Sequence, residues 1–112
     1  MTYKLAYDAF RNYLGYTDAS LSFDKLPQFK KCAWMHACID PNLTATSLYS
    51  RYCAALHAQE ELSLEDTLEF SECPIDIINA IILACQAVRK YRDARKMKFR
   101  QSNTVLYKND DD

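Results

Sequence analysis

Cys73 to Gln101, CPIDIINAIILACQAVRKYRDARKMKFRQ, holds one proline at its second position and no glycine. Nothing in it stops a helix once one has begun. Pro74 suits the first helical position, where its absent N–H would have no partner anyway. Asp76 puts a carboxylate in the first turn, at the positive end of the helix dipole. From Ile75 to Val88 the stretch is apolar on nearly every side, broken by Asp76, Asn79 and Gln86, the pattern of a helix surrounded by others. From Arg89 onward it carries Arg89, Lys90, Arg92, Arg95, Lys96, Lys98 and Arg100 against a single acid, Asp93. An apolar stripe continues through Val88, Tyr91, Ala94 and Met97.

Length makes this pattern consequential. A helix from Pro74 to Gln101 is about 42 Å long at 1.5 Å per residue. A compact chain of this size has a radius of gyration of roughly 13 Å and so a diameter of roughly 35 Å. The helix is therefore expected to overhang its own domain, with the basic half projecting. A cationic helix end with an apolar stripe calls for a partner: a second copy, another protein, or a phosphate backbone.

At 112 residues the chain is expected to be one domain. One glycine and three prolines leave little turn chemistry for a β-rich fold, while 49% hydrophobic residues suffice for a core without disulfides. The expected fold is all-α: a compact bundle of four to five helices over residues 1–101. Its long C-terminal helix is apolar in its first half and basic in its second. Residues 102–112 form an extended or disordered tail in this reading, with Val105, Leu106 and Tyr107 as a segment able to dock on a neighbour.

The formal net charge is -1, yet the charges are segregated. Glu60, Glu61, Glu65, Asp66, Glu69, Glu72 and Asp76 follow one another with no base between them, and the basic helix comes next. Either the acidic stretch lies alongside the basic one and keeps the surface solvated, or the two make a dipolar surface for head-to-tail assembly or an oppositely charged partner. Met1 to Phe10 has no apolar run of the kind a secretory signal needs. Ile75 to Val88 is too short to span a bilayer. Five cysteines without framework spacing read as reduced thiols, so the expected compartment is cytoplasmic.

Along the chain, Thr2 opens a first helix whose Tyr3, Tyr7, Phe10 and Leu14 share one face, and Gly15 ends it. Thr17 to Asp24 reads as a loop with Leu21 and Phe23 as plugs. Asp24 is expected to cap a second helix, with Pro27 in its first turn. That helix runs to about Ile39, before Asp40-Pro41. The run from Cys32 to Ile39 is apolar all round and is expected to be deeply packed. Asn42 or Thr44 caps a third helix, to about Glu60, with the stripe Leu48, Tyr49, Tyr52, Cys53 and Leu56. Ser63 and Asp66 form a capping-box pattern that predicts a short fourth helix, with Leu64, Leu68 and Phe70 inward.

The most specific chemical pattern is an echo: Cys32 precedes His36 by four residues, and Cys53 precedes His57 by four. On antiparallel helices the four could form a Cys2His2 zinc site. The same small residues equally serve close helix packing, and no metal or other cofactor is assigned. A Cys53–His57 nucleophilic dyad lacks an orienting acid and an oxyanion loop. No P-loop, dinucleotide-binding, zincin or EF-hand motif is present, so no catalytic residue is assigned. The functional expectation is a non-catalytic interaction protein, acting as an adaptor, assembly subunit or inhibitor. Its contacts come from Arg89, Tyr91, Arg92, Arg95, Lys96, Met97, Arg100, Val105, Leu106 and Tyr107. The alternative is a nucleic-acid binder using the same cations on phosphates, with Tyr91 and Phe99 stacking on bases. Nothing points to a small-molecule substrate or a membrane partner.

Overall fold

Rings from two other helices converge on Trp34. Tyr7 and Phe10 approach it from the first helix at 5.5 and 5.3 Å between centroids, and Tyr52 approaches from the third at 5.2 Å. All three pairs are edge-to-face, the arrangement the ring quadrupoles favour. The computed structural model describes residues 2–16, 18 and 20–96. Four α-helices occur among the described residues: α1 (Thr2–Tyr13), α2 (Gln28–Ala37), α3 (Ala45–Ala58) and α4 (Ile75–Asp111), the last described as far as residue 96. Short 3-10 turns lie at Ala19–Leu21, Phe23–Lys25 and Phe70–Glu72, and no strand occurs among the described residues. Met97, Arg100, Val105, Leu106, Tyr107 and the expected tail lie outside the described residues.

The all-α class follows from local chemistry that the structure bears out at several points. Gly15 ends α1 at φ +81°, and the Tyr16 N–H donates to the Arg11 carbonyl while the Gly15 N–H donates to that of Asn12. This is the Schellman closure that satisfies the last carbonyls of a helix. Thr44 caps α3: its hydroxyl accepts from the Ser47 N–H, and the Ser47 hydroxyl accepts from the Thr44 N–H. α3 closes as α1 does, the Glu61 N–H donating to Leu56 and the Glu60 N–H to His57, but with Glu60 at φ 60° in place of a glycine.

α2 and α3 make an antiparallel hairpin, Gln59 Nε2 at one end donating to the Phe29 carbonyl and Arg51 pairing with Asp40 toward the other. α1 lies against α4, with Asn79 Nδ2 donating to the Tyr13 hydroxyl. The core is one cluster including Ala6, Tyr7, Phe23, Trp34, Leu43, Leu48, Ile81, Ala84 and Val88.

Several boundaries and faces differ from expectation. α2 begins after Pro27, not at Asp24, because Ser22 to Leu26 close a separate 3-10 turn in which Asp24 sits. Pro27 and Pro74 each stand one residue ahead of a helix and supply its first carbonyl acceptor, to Lys31 and Ile78 respectively. α2 is not packed all round: Met35, His36 and Ile39 are exposed on the side opposite Trp34. α4 is likewise open on one side, where Ile75 is 71% exposed and Leu83 38%.

The expected helix after Ser63 is a turn. Its capping interactions form, the Asp66 N–H donating to the Ser63 hydroxyl, but Thr67 turns its own hydroxyl onto the Ser63 carbonyl at 2.8 Å. That carbonyl is the acceptor a continuing helix would give to a backbone N–H. Leu64 and Leu68 are left 78% and 48% exposed, and of the expected inward face Phe70 alone packs inward, against Tyr49 and the core.

The two Schellman closures predict opposite substitutions. Gly15→Ala should destabilise by about 1 kcal/mol although the space beside it is open, because the cost lies in the backbone angle. Glu60→Gly should stabilise by about 0.5 kcal/mol. Urea unfolding of both variants checks this; a destabilised Glu60→Gly protein would contradict the assignment.

Candidate interaction surface at the basic end of α4

α4 keeps one side against the bundle as far as Arg92. Val88 is fully buried, Tyr91 and Arg92 are half-buried, and Ala94, Arg95 and Lys96 are exposed. Among the described residues Arg92 makes the last hydrogen bonds between α4 and the rest of the bundle. Its Nη2 donates to the Cys38 carbonyl at 2.5 Å and its Nη1 to the Asp40 carbonyl at 2.6 Å. Both acceptors lie just past the C-terminus of α2, where carbonyls lack helical partners and a cation is favoured. The guanidinium fork spans the two oxygens as a single ammonium could not. Arg92 is thus engaged by the fold.

Arg89, Arg92, Asp93 and Lys96 form one wall of a notch whose other wall is the loop Pro41, Asn42, Leu43 and Thr44. Arg95 lies over the Tyr91 ring at 5.8 Å. The ion pairs among the described residues are Lys4–Asp24, Arg11–Asp8 and Arg51–Asp40, and none draws on the cations of α4. The acidic connection is held elsewhere. The Tyr49 hydroxyl donates to the Leu68 carbonyl at 2.5 Å, Tyr49 and Phe70 pack ring to ring, and His57 Nε2 meets the Thr67 hydroxyl at 2.7 Å. These contacts hold it on α3, before α4 begins. From Asp76 to Arg89, α4 rises about 20 Å at 1.5 Å per residue. Acid and base therefore sit toward opposite ends of the helix.

The Cys–His echo is not gathered into a site. Cys32 and His36 border a shallow recess with Thr2, Tyr3, Met35 and Ile39, whereas Cys53 and His57 border another with Thr67 and Phe70. α2 and α3 pair as supposed, but Trp34 of α2 meets Tyr52 of α3, and the buried residues of α2 are Ala33, Trp34 and Ala37 rather than Cys32 or His36. Among the described residues no three metal-ligating side chains cluster. Burial raises the Cys53 thiol, the opposite of what an activated nucleophile needs. Burial also pushes Cys38 up to about 11, partly opposed by the Arg92 charge, and raises Cys85. All five cysteines are free thiols.

The loop wall of the notch and the carbonyls that hold Arg92 were not found from sequence. Backbone acceptors carry no residue signature, and these lie 52 and 54 positions from Arg92. Among the described residues no helix is long and apolar enough to cross a membrane. No protein-family model, no curated protein and no solved structure matches the chain.

Two measurements check this geometry. Arg92→Ala removes two charge-assisted hydrogen bonds and should cost about 2 kcal/mol of unfolding free energy, with Arg92→Lys recovering only part. No loss in the alanine variant would show the clasp to be idle.

The second concerns Cys38. Its folded pKa is raised, so the folded state keeps a proton that the unfolded state releases. The associated stability is complete below about pH 9 and is lost as pH rises toward about 11. Ellman's reagent at neutral pH should titrate Cys32 and Cys73 quickly and Cys38, Cys53 and Cys85 only on unfolding. Cys38→Ala should flatten the alkaline loss. Rapid reaction of all five thiols in the folded protein would contradict it.

Proposed function

We propose that this chain is a non-catalytic protein–protein interaction module, an adaptor, assembly subunit or inhibitor, that engages an acidic protein surface with the basic end of α4. The observation that carries this reading is the row Arg89, Arg95 and Lys96: exposed and without a carboxylate partner among the described residues. Tyr91 supplies an adjoining half-buried ring. Clustered like charges left unneutralised repel one another, and an oppositely charged surface relieves that repulsion and steers the encounter. The segregated acids from Glu60 to Asp76 make a second copy of the chain a natural partner, in a head-to-tail contact that forms a ring or a filament. Five free thiols fit a reducing, cytoplasmic location.

The nucleic-acid reading uses the same cations and differs in its response. Phosphate binding falls steeply with salt, and each Arg removed flattens that slope. A protein interface leans on an anchor such as Tyr91.

The test pairs solution molar mass by light scattering with a gel-shift assay on unspecific DNA and RNA at low salt. The expected result is a mass above the 13.0 kDa monomer at low salt. The combined variant Arg89→Glu, Arg95→Glu and Lys96→Glu should remain monomeric, Tyr91→Ala should be weakened about tenfold, and neither nucleic acid should shift. Robust shifts that the triple variant abolishes, with Tyr91→Ala unaffected and the protein monomeric throughout, would replace this reading with the nucleic-acid one.

A further inference from the structure

A cleft of about 340 Å³ opens where α1, α2, α3 and the first turns of α4 meet, away from the basic helix end. Its floor is the core itself: Trp34, Leu48 and Ile81 are all buried, and Phe10, Leu26 and Tyr52 add apolar walls. Protein interiors normally close to voids no larger than a water molecule. This cleft is open beside rings that stand edge-on to Trp34, Phe10 at 64° and Tyr52 at 60°.

Several of the polar groups that line it are already engaged. An ordered water needs two to four polar partners. The Tyr7 hydroxyl already donates to the Leu21 carbonyl at 2.6 Å, and the Tyr49 hydroxyl to that of Leu68. Arg11 is turned to the carbonyls of Tyr16 and Asp18 and to the Asp8 carboxylate. Lys30, exposed and bordering the same cleft, takes part in no ion pair among the described residues. The volume lies at the small end of ligand-binding pockets, about 300–1,000 Å³, and an apolar lining with a few convergent polar groups is their usual make-up.

We propose that this cleft binds a small aromatic molecule carrying one anionic group, its ring system against Phe10, Trp34 and Tyr52 and its anion at Lys30. Aromatic lining favours an aromatic body, because edge-to-face contacts add to the area buried. A single exposed lysine favours a single carboxylate or sulfonate. The proposal is independent of the partner reading of α4, since no residue is shared between the two surfaces.

Trp34 is the chain's only tryptophan and lines the cleft, so its emission reports the site directly. The probes are naphthoate and its uncharged analogue naphthylmethanol, titrated into the intact protein. Saturable quenching of Trp34 emission by both is expected, with a rise in melting temperature. Lys30→Gln should weaken naphthoate about fivefold and leave naphthylmethanol unchanged, the size of an exposed charge pair. Leu26→Phe, which fills the mouth, should weaken both probes. Leu21→Phe, at an exposed position on the rim, should do the same without burdening the core. Quenching that rises linearly without saturation, or saturable binding that neither leucine variant alters, overturns the site. Equal loss of both probes in Lys30→Gln overturns the anionic part of the assignment.

Discussion

Trp34 is where the bundle is held together. Its indole meets Tyr7 and Phe10 of α1 and Tyr52 of α3, and Tyr7 passes the contact on to Phe23 in the loop before α2. Truncating a buried tryptophan costs about 3–5 kcal/mol, a large share of the 5–15 kcal/mol typical of whole domains. With a single glycine in the chain, close approach falls to Ala6, Ala33, Ala37, Ala80 and Ala84, all fully buried. Large rings at the hub and alanines at the crossings are complementary solutions to one packing problem. The 340 Å³ cleft opens beside these rings.

α4 lies chiefly along α1, and among the described residues Arg92 makes its last hydrogen bonds to the bundle. Up to Val88, buried apolar side chains hold the helix. At Arg92 the attachment becomes polar, two hydrogen bonds to the end of α2. Beyond it Ala94, Arg95 and Lys96 are exposed. α4 is continuous through Val88, and the ion pairs among the described residues leave its cations out. This is why the basic end is the surface proposed for a partner.

Much of the fold was legible because it is encoded within a few residues. Gly15, the Thr44 cap and the glycine-free run after Pro74 each act on backbone groups within a turn or two. The misreadings came where a local signal met a longer-range competitor. The Ser63–Asp66 box forms, yet the Thr67 hydroxyl claims the carbonyl that a helix would use. The apolar runs of α2 and early α4 promised burial all round, but a bundle of four helices has too few neighbours to cover every side, and Ile39 and Ile75 remain outside. Of the candidate surface, its sign and its helix were readable. The engagement of Arg92 was not, because its acceptors are main-chain oxygens from a distant part of the chain.

The central claim is that, among the described residues, the molecule's own body stops supporting α4 at Arg92. Amide hydrogen exchange resolved along that helix tests it most directly, since protection reports how much of the structure must open for each N–H to exchange. The account predicts protection near the global unfolding free energy from Ala80 to about Arg92, then a fall of several-fold or more per residue through Lys96 in dilute monomer. Global-level protection continuing unbroken through Lys96 would mean that the basic end is packed within the monomer, and would contradict the account.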